Sequence, residues 1–118
     1  MATAVKRLLS GSTGGDGIMV SGSATATAVT VHTATSSTTQ GTYDEIWLWA
    51  FNLDSSNVSL TLEYGSSTTN TLIVSIPAQS GLIPILPGLI LQNSLTIKAF
   101  ATTINKVVLV GFVNRMTD

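Results

Sequence analysis

No window longer than ten residues in this 118-residue chain places apolar side chains at three- and four-residue spacing, so no amphipathic helix can organise it. Val, Ile and Thr dominate instead, and their branched Cβ atoms suit a pleated strand better than a helical turn. Clusters of Gly, Pro, Asn and Ser cut these runs at intervals of roughly eight to twelve residues, the spacing of short antiparallel strands in a sandwich or barrel. The expectation is an all-β fold: a single jelly-roll-like β-sandwich of seven or eight antiparallel strands over residues 16–118, preceded by an extended N-terminal arm over residues 1–15. The glycine-rich stretch Gly11 to Gly17 reads as a flexible connection.

Individual strands follow from the two-residue period. Gly17 to Ser21 reads as a weak first strand, and Thr25 to Thr33 as a second with Val29 and Val31 on one face and Thr30 and His32 on the other. Tyr43 to Asn52 is apolar on both faces, with Ile46, Leu48 and Ala50 opposed to Trp47, Trp49 and Phe51. Val58 to Tyr64 alternates cleanly, and the turn Asp54-Ser55-Ser56-Asn57 suggests a hairpin with the preceding strand. Thr71 to Ile76 ends at Pro77, which has no N–H for a ladder. Gly81 to Leu86 contains Pro84 and so belongs at a sheet edge, with Pro87-Gly88 as the turn after it. Leu95 to Ala101 and Lys106 to Asn114 complete the set, the last apolar on both faces and therefore central.

Charge is scarce. Only 9% of residues are charged, against roughly 25% in an ordinary domain, and the net charge is −1, while Ser and Thr supply about a quarter of the chain. No global field draws such a chain to nucleic acid or to an anionic membrane. A surface this weakly charged favours a partner that covers part of it, so a homo-oligomer is expected. The longest apolar stretch, Gly81 to Leu91, is interrupted by Pro84, Pro87 and Gly88 and is too short to span a bilayer. Lys6 and Arg7 are followed only by Leu8 and Leu9 before Ser10, which is no signal-peptide core, and the mature protein is expected to begin near Met1. With no cysteine, no disulfide framework is involved.

Catalytic patterns are hard to assemble, and the chain is expected not to be an enzyme and to need no cofactor or metal. The single histidine, His32, is expected at an exposed or rim position, with Asp44 and Glu45 beyond a Ser/Thr-rich loop. Ser80 lacks the glycine two residues earlier that a nucleophile elbow requires, so a Ser80–His32–Asp44 set has no pattern behind it. Asp44, Glu45, Asp54 and Glu63 are the candidates for a glycosidase-like carboxylate pair, but turn and polar-face positions account for them. Gly11 to Gly17 has no Lys-Ser/Thr ending to make it a phosphate loop. Asn57-Val58-Ser59 fits the glycosylation pattern only for a chain that enters a secretory pathway.

Two features remain. Trp47, Trp49 and Phe51 form an aromatic strand face that serves as core, as an oligomer contact or as a sugar-stacking platform. The run Leu82 to Leu91 is too apolar for an uncovered edge, and a neighbouring subunit is its simplest cover. Trp47, Trp49 and Phe51, with Leu82, Ile83, Ile85 and Leu86, are thus the candidate subunit interface.

Several stretches along nearly the whole chain carry a likeness: Lys6-Arg7-Leu8-Leu9-Ser10-Gly11, Asp44-Glu45-Ile46-Trp47-Leu48, Ile76-Pro77-Ala78-Gln79-Ser80-Gly81, Pro87-Gly88-Leu89 and Val110-Gly111-Phe112-Val113-Asn114-Arg115. In these the chain resembles the small β-sandwich auxiliary capsid proteins, also called decoration or cement proteins, of tailed bacteriophages, especially phages of aquatic bacteria. The resemblance implies a structural virion protein without enzymatic activity, made in the host cytoplasm. Such a protein oligomerises, often as a trimer, and attaches to the outside of the major capsid protein shell, stabilising it against packaged DNA. Lys6, Arg7, Leu8 and Leu9 would then form a capsid-contact arm. A tail, neck or fibre component is the neighbouring expectation, and a carbohydrate-binding module using Trp47, Trp49 and Tyr64 is the one from a different class.

Overall fold

The computed structural model describes residues 2–118. It is an all-β sandwich of two antiparallel sheets, with nine strands among the described residues: β1 (Thr3–Leu8), β2 (Ile18–Met19), β3 (Val29–Thr33), β4 (Tyr43–Asn52), β5 (Val58–Tyr64), β6 (Thr71–Ile76), β7 (Ile83–Leu91), β8 (Thr96–Ala101) and β9 (Val107–Thr117). One sheet has the order β1-β9-β4-β7, with β2 beside β1 on the same edge of β9, and the other the order β3-β8-β5-β6.

The pairings nest. β1 and β2 pair with β9, β3 with β8, β4 with β7, and β5 with β6, so the chain is one long hairpin folded at residues 65–70. Rolling it up adds the β4–β9 and β5–β8 ladders and divides the pairs between two sheets, which is jelly-roll topology. The core between the sheets is aliphatic: Ile46, Leu48, Leu60, Leu62, Ile76, Ile97 and Leu109 are fully buried. Each contributes roughly 1.5–3 kcal/mol by leaving water.

β4 shows why the rolled form wins over a local hairpin. Both of its edges are occupied, by β9 along its whole length and by β7, so β5 cannot pair with it and crosses to the other sheet. Asn52 fixes that crossing. Its buried side-chain amide donates to the Ser56 and Ile76 carbonyls at 2.9 and 3.1 Å, and its Oδ1 accepts the Asp54 N–H at 2.9 Å. The expected β4–β5 hairpin is therefore replaced by a bridge between sheets. Close approach of β4 and β9 requires Gly111, because a Cβ there would lie 2.0 Å from the Trp47 carbonyl oxygen.

The N-terminal arm is extended and paired to the sheet. Residues 3–8 are strand β1, paired with Phe112 to Thr117 of β9, although all six of its residues are solvent-exposed. Met1 lies outside the described residues. The loop after β1 is anchored: Leu9 is buried in the core, and Gly11 N–H donates to the Val31 carbonyl at 2.9 Å. β7 occupies an edge, as Pro84 requires, but it runs on through Pro87 and Gly88 instead of turning there. Two register shifts against β4 and the positive φ of Gly88, 83°, absorb the prolines.

Candidate functional site

The outer face of the five-stranded sheet is where the chain displays what the fold leaves unburied. Along β4 burial alternates without exception: Asp44, Ile46, Leu48, Ala50 and Asn52 point inward, and Tyr43, Glu45, Trp47, Trp49 and Phe51 outward. Register then sets outward neighbours side by side, Leu8 and Trp47 opposite Phe112, Trp49 opposite Val110, and Phe51 opposite Val108. The rings of Trp47 and Phe112 lie 6.4 Å apart at 13° and those of Trp49 and Phe112 6.0 Å apart at 27°, a near-parallel row of three. Lys6 Nζ sits 4.6 Å from the Phe112 ring centre. Trp47 is oriented by its indole N–H, which donates to Glu45 Oε1 at 2.7 Å, and Asn114 Nδ2 donates to the same oxygen at 3.2 Å. These two bonds hold the Glu45 carboxyl below its ordinary value.

The candidate residues therefore divide. Trp47, Trp49 and Phe51 are half-buried and lie outside the core between the sheets, so the core reading gives way to a surface one. Lys6, Arg7 and Leu8 share the exposed strand β1, whereas Leu9 is in the core and has no surface to offer a partner. Of the β7 residues, Leu82 just before it is 59% exposed, Ile83 and Ile85 pack partly against the core, and Leu86 is inside it. Tyr64 is on β5 in the opposite sheet, packed towards the core and away from the tryptophans.

The second cluster is buried. A β-bulge in β3 between Thr30 and His32 makes Val31 the extra residue, so His32 comes opposite the inward Ile97 and both Val31 and His32 are enclosed. This overturns the rim position expected from strict alternation. His32 Nδ1 accepts the Ser10 backbone N–H at 3.0 Å, so the ring proton is on Nε2 and is donated to Asp44 Oδ2 at 2.7 Å. Arg115 donates to the same carboxylate from Nε at 2.7 Å and Nη2 at 2.9 Å, and the Thr35 N–H adds a contact at 3.2 Å. Burial alone would raise the Asp44 carboxyl; the bonds from Arg115 and His32 and the charge of Arg115 outweigh it and hold Asp44 below its ordinary value, while Asp44 raises Arg115 in return. Both imidazole nitrogens are engaged, so neither has a lone pair to serve as a base or a metal ligand. The arrangement ties β3 of one sheet to β4 and β9 of the other.

Ser80 Oγ is enclosed without a hydrogen-bond partner and is bonded to neither His32 nor Asp44. Asp44 and Glu45 point to opposite faces of β4, and no group of three His, Asp or Glu side chains converges among the described residues. An open cleft of about 320 Å³ lies at one end of the sandwich, between Gln40, Tyr43, Ile90 and Leu95. Phe112, Asn114 and Arg115 enter the sequence reading only within the Val110 to Arg115 stretch and not as site residues; alternation along β9 places Phe112 with Val108 and Val110, but only the β4–β9 register brings it to Trp47.

Compared with known proteins, the chain matches no family model, no curated protein and no solved structure.

Proposed function

We propose that this chain is a structural virion protein, a capsid decoration protein that associates with its own copies and binds the outer surface of a phage major capsid protein shell. The observation that carries this reading is the outer sheet face, where Leu8, Trp47, Trp49, Phe51 and Phe112 form a contiguous apolar surface that the fold itself does not use. Aromatic side chains at the centre of a patch with a polar rim are what a protein contact is built from. Lys6 and Arg7 on the adjoining strand make no salt bridge among the described residues and suit an acidic docking surface. Three copies is the number the resemblance implies, and attachment outside the shell would brace it against the pressure of packaged DNA.

The test is to add purified protein to expanded shells that lack it and measure occupancy by imaging and by gel densitometry. Saturable decoration of the shell lattice is expected; label confined to tails or necks would transfer the protein to that part of the virion. A second reading, carbohydrate binding, is favoured by the half-buried outward rings of Trp47 and Trp49, each stacked on Phe112, though Tyr64 is not part of that face. Titration with soluble oligosaccharides, read by tryptophan fluorescence, separates it from protein docking.

A further inference from the structure

A jelly roll leaves four sheet edges open to pairing, and this chain defends three of them. β1 carries Lys6 and Arg7 at its centre. β7 carries Pro84 and Pro87 and two register shifts. β3 is bulged, and the 9–11 loop covers it: Gly11 N–H bonds the Val31 carbonyl and Ser10 Oγ accepts the Thr33 N–H at 2.7 Å. Charges, prolines, bulges and covering loops are the usual means by which an edge is kept from pairing with another chain.

The fourth edge, β6, has none of them. Its sequence, Thr71-Leu72-Ile73-Val74-Ser75-Ile76, contains no charge, proline or glycine, and its register against β5 is unbroken for six residues. Among the described residues no backbone hydrogen bond joins 72–75 to anything but β5. Ile73 is 71% exposed, the most exposed of the large apolar side chains among the described residues, and Leu72 is exposed beside it. Six uncharged residues on an open edge, four of them the β-branched Thr71, Ile73, Val74 and Ile76, are a pairing surface.

We infer that β6 is a subunit contact, pairing antiparallel with β6 of a second copy across a twofold axis. The occupant follows from the strand itself. An acidic or basic partner has no charge to meet on β6, whereas the strand is complementary to its own copy. Centring the pair on Ile73 places Ile73 opposite Ile73, Leu72 opposite Val74 and Thr71 opposite Ser75, so every side chain stays on its own face. Apolar residues then meet apolar ones and hydroxyls meet hydroxyls. The two four-stranded sheets become one of eight strands, and the contact closes because each edge is consumed. It lies on the opposite sheet from the aromatic face and leaves that face free, so it adds to shell docking and does not depend on it.

Ile73→Lys tests this, since a charge on an exposed edge position disfavours pairing while the fold has room for it. Light scattering across a dilution series is expected to give a wild-type mass that halves in the variant, with an unchanged far-UV spectrum. Hydrogen exchange at the β6 amides that point away from β5 should be slow in the wild type and fast in Ile73→Lys, while those bonded to β5 stay protected in both. A wild type that is a single chain throughout the series, or a mass that Ile73→Lys leaves unchanged, overturns the inference. Shell occupancy measured on the same variant reports on the proposed function separately.

Discussion

The Asp44 carboxylate is fully enclosed, and it is tolerated there because four donors converge on it: two from Arg115, one from His32 and one from the Thr35 backbone. Removing a partner from such a group leaves a buried charge without compensation. Arg115→Met is expected to cost about 3–5 kcal/mol, read as a lower urea midpoint with an unchanged slope. Asp44→Asn should cost less, because the Arg115 side chain is 25% exposed and can turn to water. The pH dependence has a definite sign. Asp44 is held below the ordinary value of 3.8, so it contributes stability that is fully present above that pH and is lost as pH falls through its lower value in the folded state. Thermal melts between neutral and strongly acidic pH should therefore show a loss below about pH 4 that Asp44→Asn flattens. Alternation along β4 already sets Asp44 in step with Ile46 and Leu48, but the place of His32 in this cluster was not legible from it. A single bulged residue, Val31, reverses the face of His32, and a bulge is decided by the strand opposite, which the local pattern does not contain.

At the scale of elements, β1 and the loop behind it behave differently although they adjoin. All six residues of β1 are exposed, so deleting residues 2–8 should leave the far-UV spectrum intact and lower the melting temperature only slightly. Leu9→Ala, one residue further on, empties a core position and is expected to cost about 2–5 kcal/mol, measured by denaturant unfolding. The boundaries of β4, β5 and β6 were readable from the sequence because their alternation is clean and Pro77 and the polar turns stop them. β1 was not, since its alternation is too short to mark a strand and only the β9 ladder makes it one. Pro87-Gly88 misled for the opposite reason. The pair has turn chemistry, but next to β4 it is absorbed as an edge bulge, with Gly88 clearing the Trp47 ring: a Cβ there would approach Trp47 Cζ2 to 3.3 Å.

At the scale of the whole molecule, the nested pairing separates the long strands from their sequence neighbours, and this is why turn signals predict the strands better than their partners. Asp54 to Asn57 has the composition of a hairpin turn, yet the core is closed only when β4 is walled in by β9 and β7. Closure also decides what is left outside. Trp47 and Trp49 are the only tryptophans in the chain, and both lie on the outer sheet face, so intrinsic fluorescence reports on that face alone. Acrylamide should quench the free protein readily, because neither ring is enclosed between the sheets. On decorated shells the quenching, taken as the difference from undecorated shells, should fall sharply if the aromatic face is the docking surface, and Trp49→Ala should lower occupancy while leaving most of the fold's stability intact. Unchanged quenching on a fully occupied shell would move docking to another surface, with the exposed strand β1 and its Lys6 and Arg7 the next to examine.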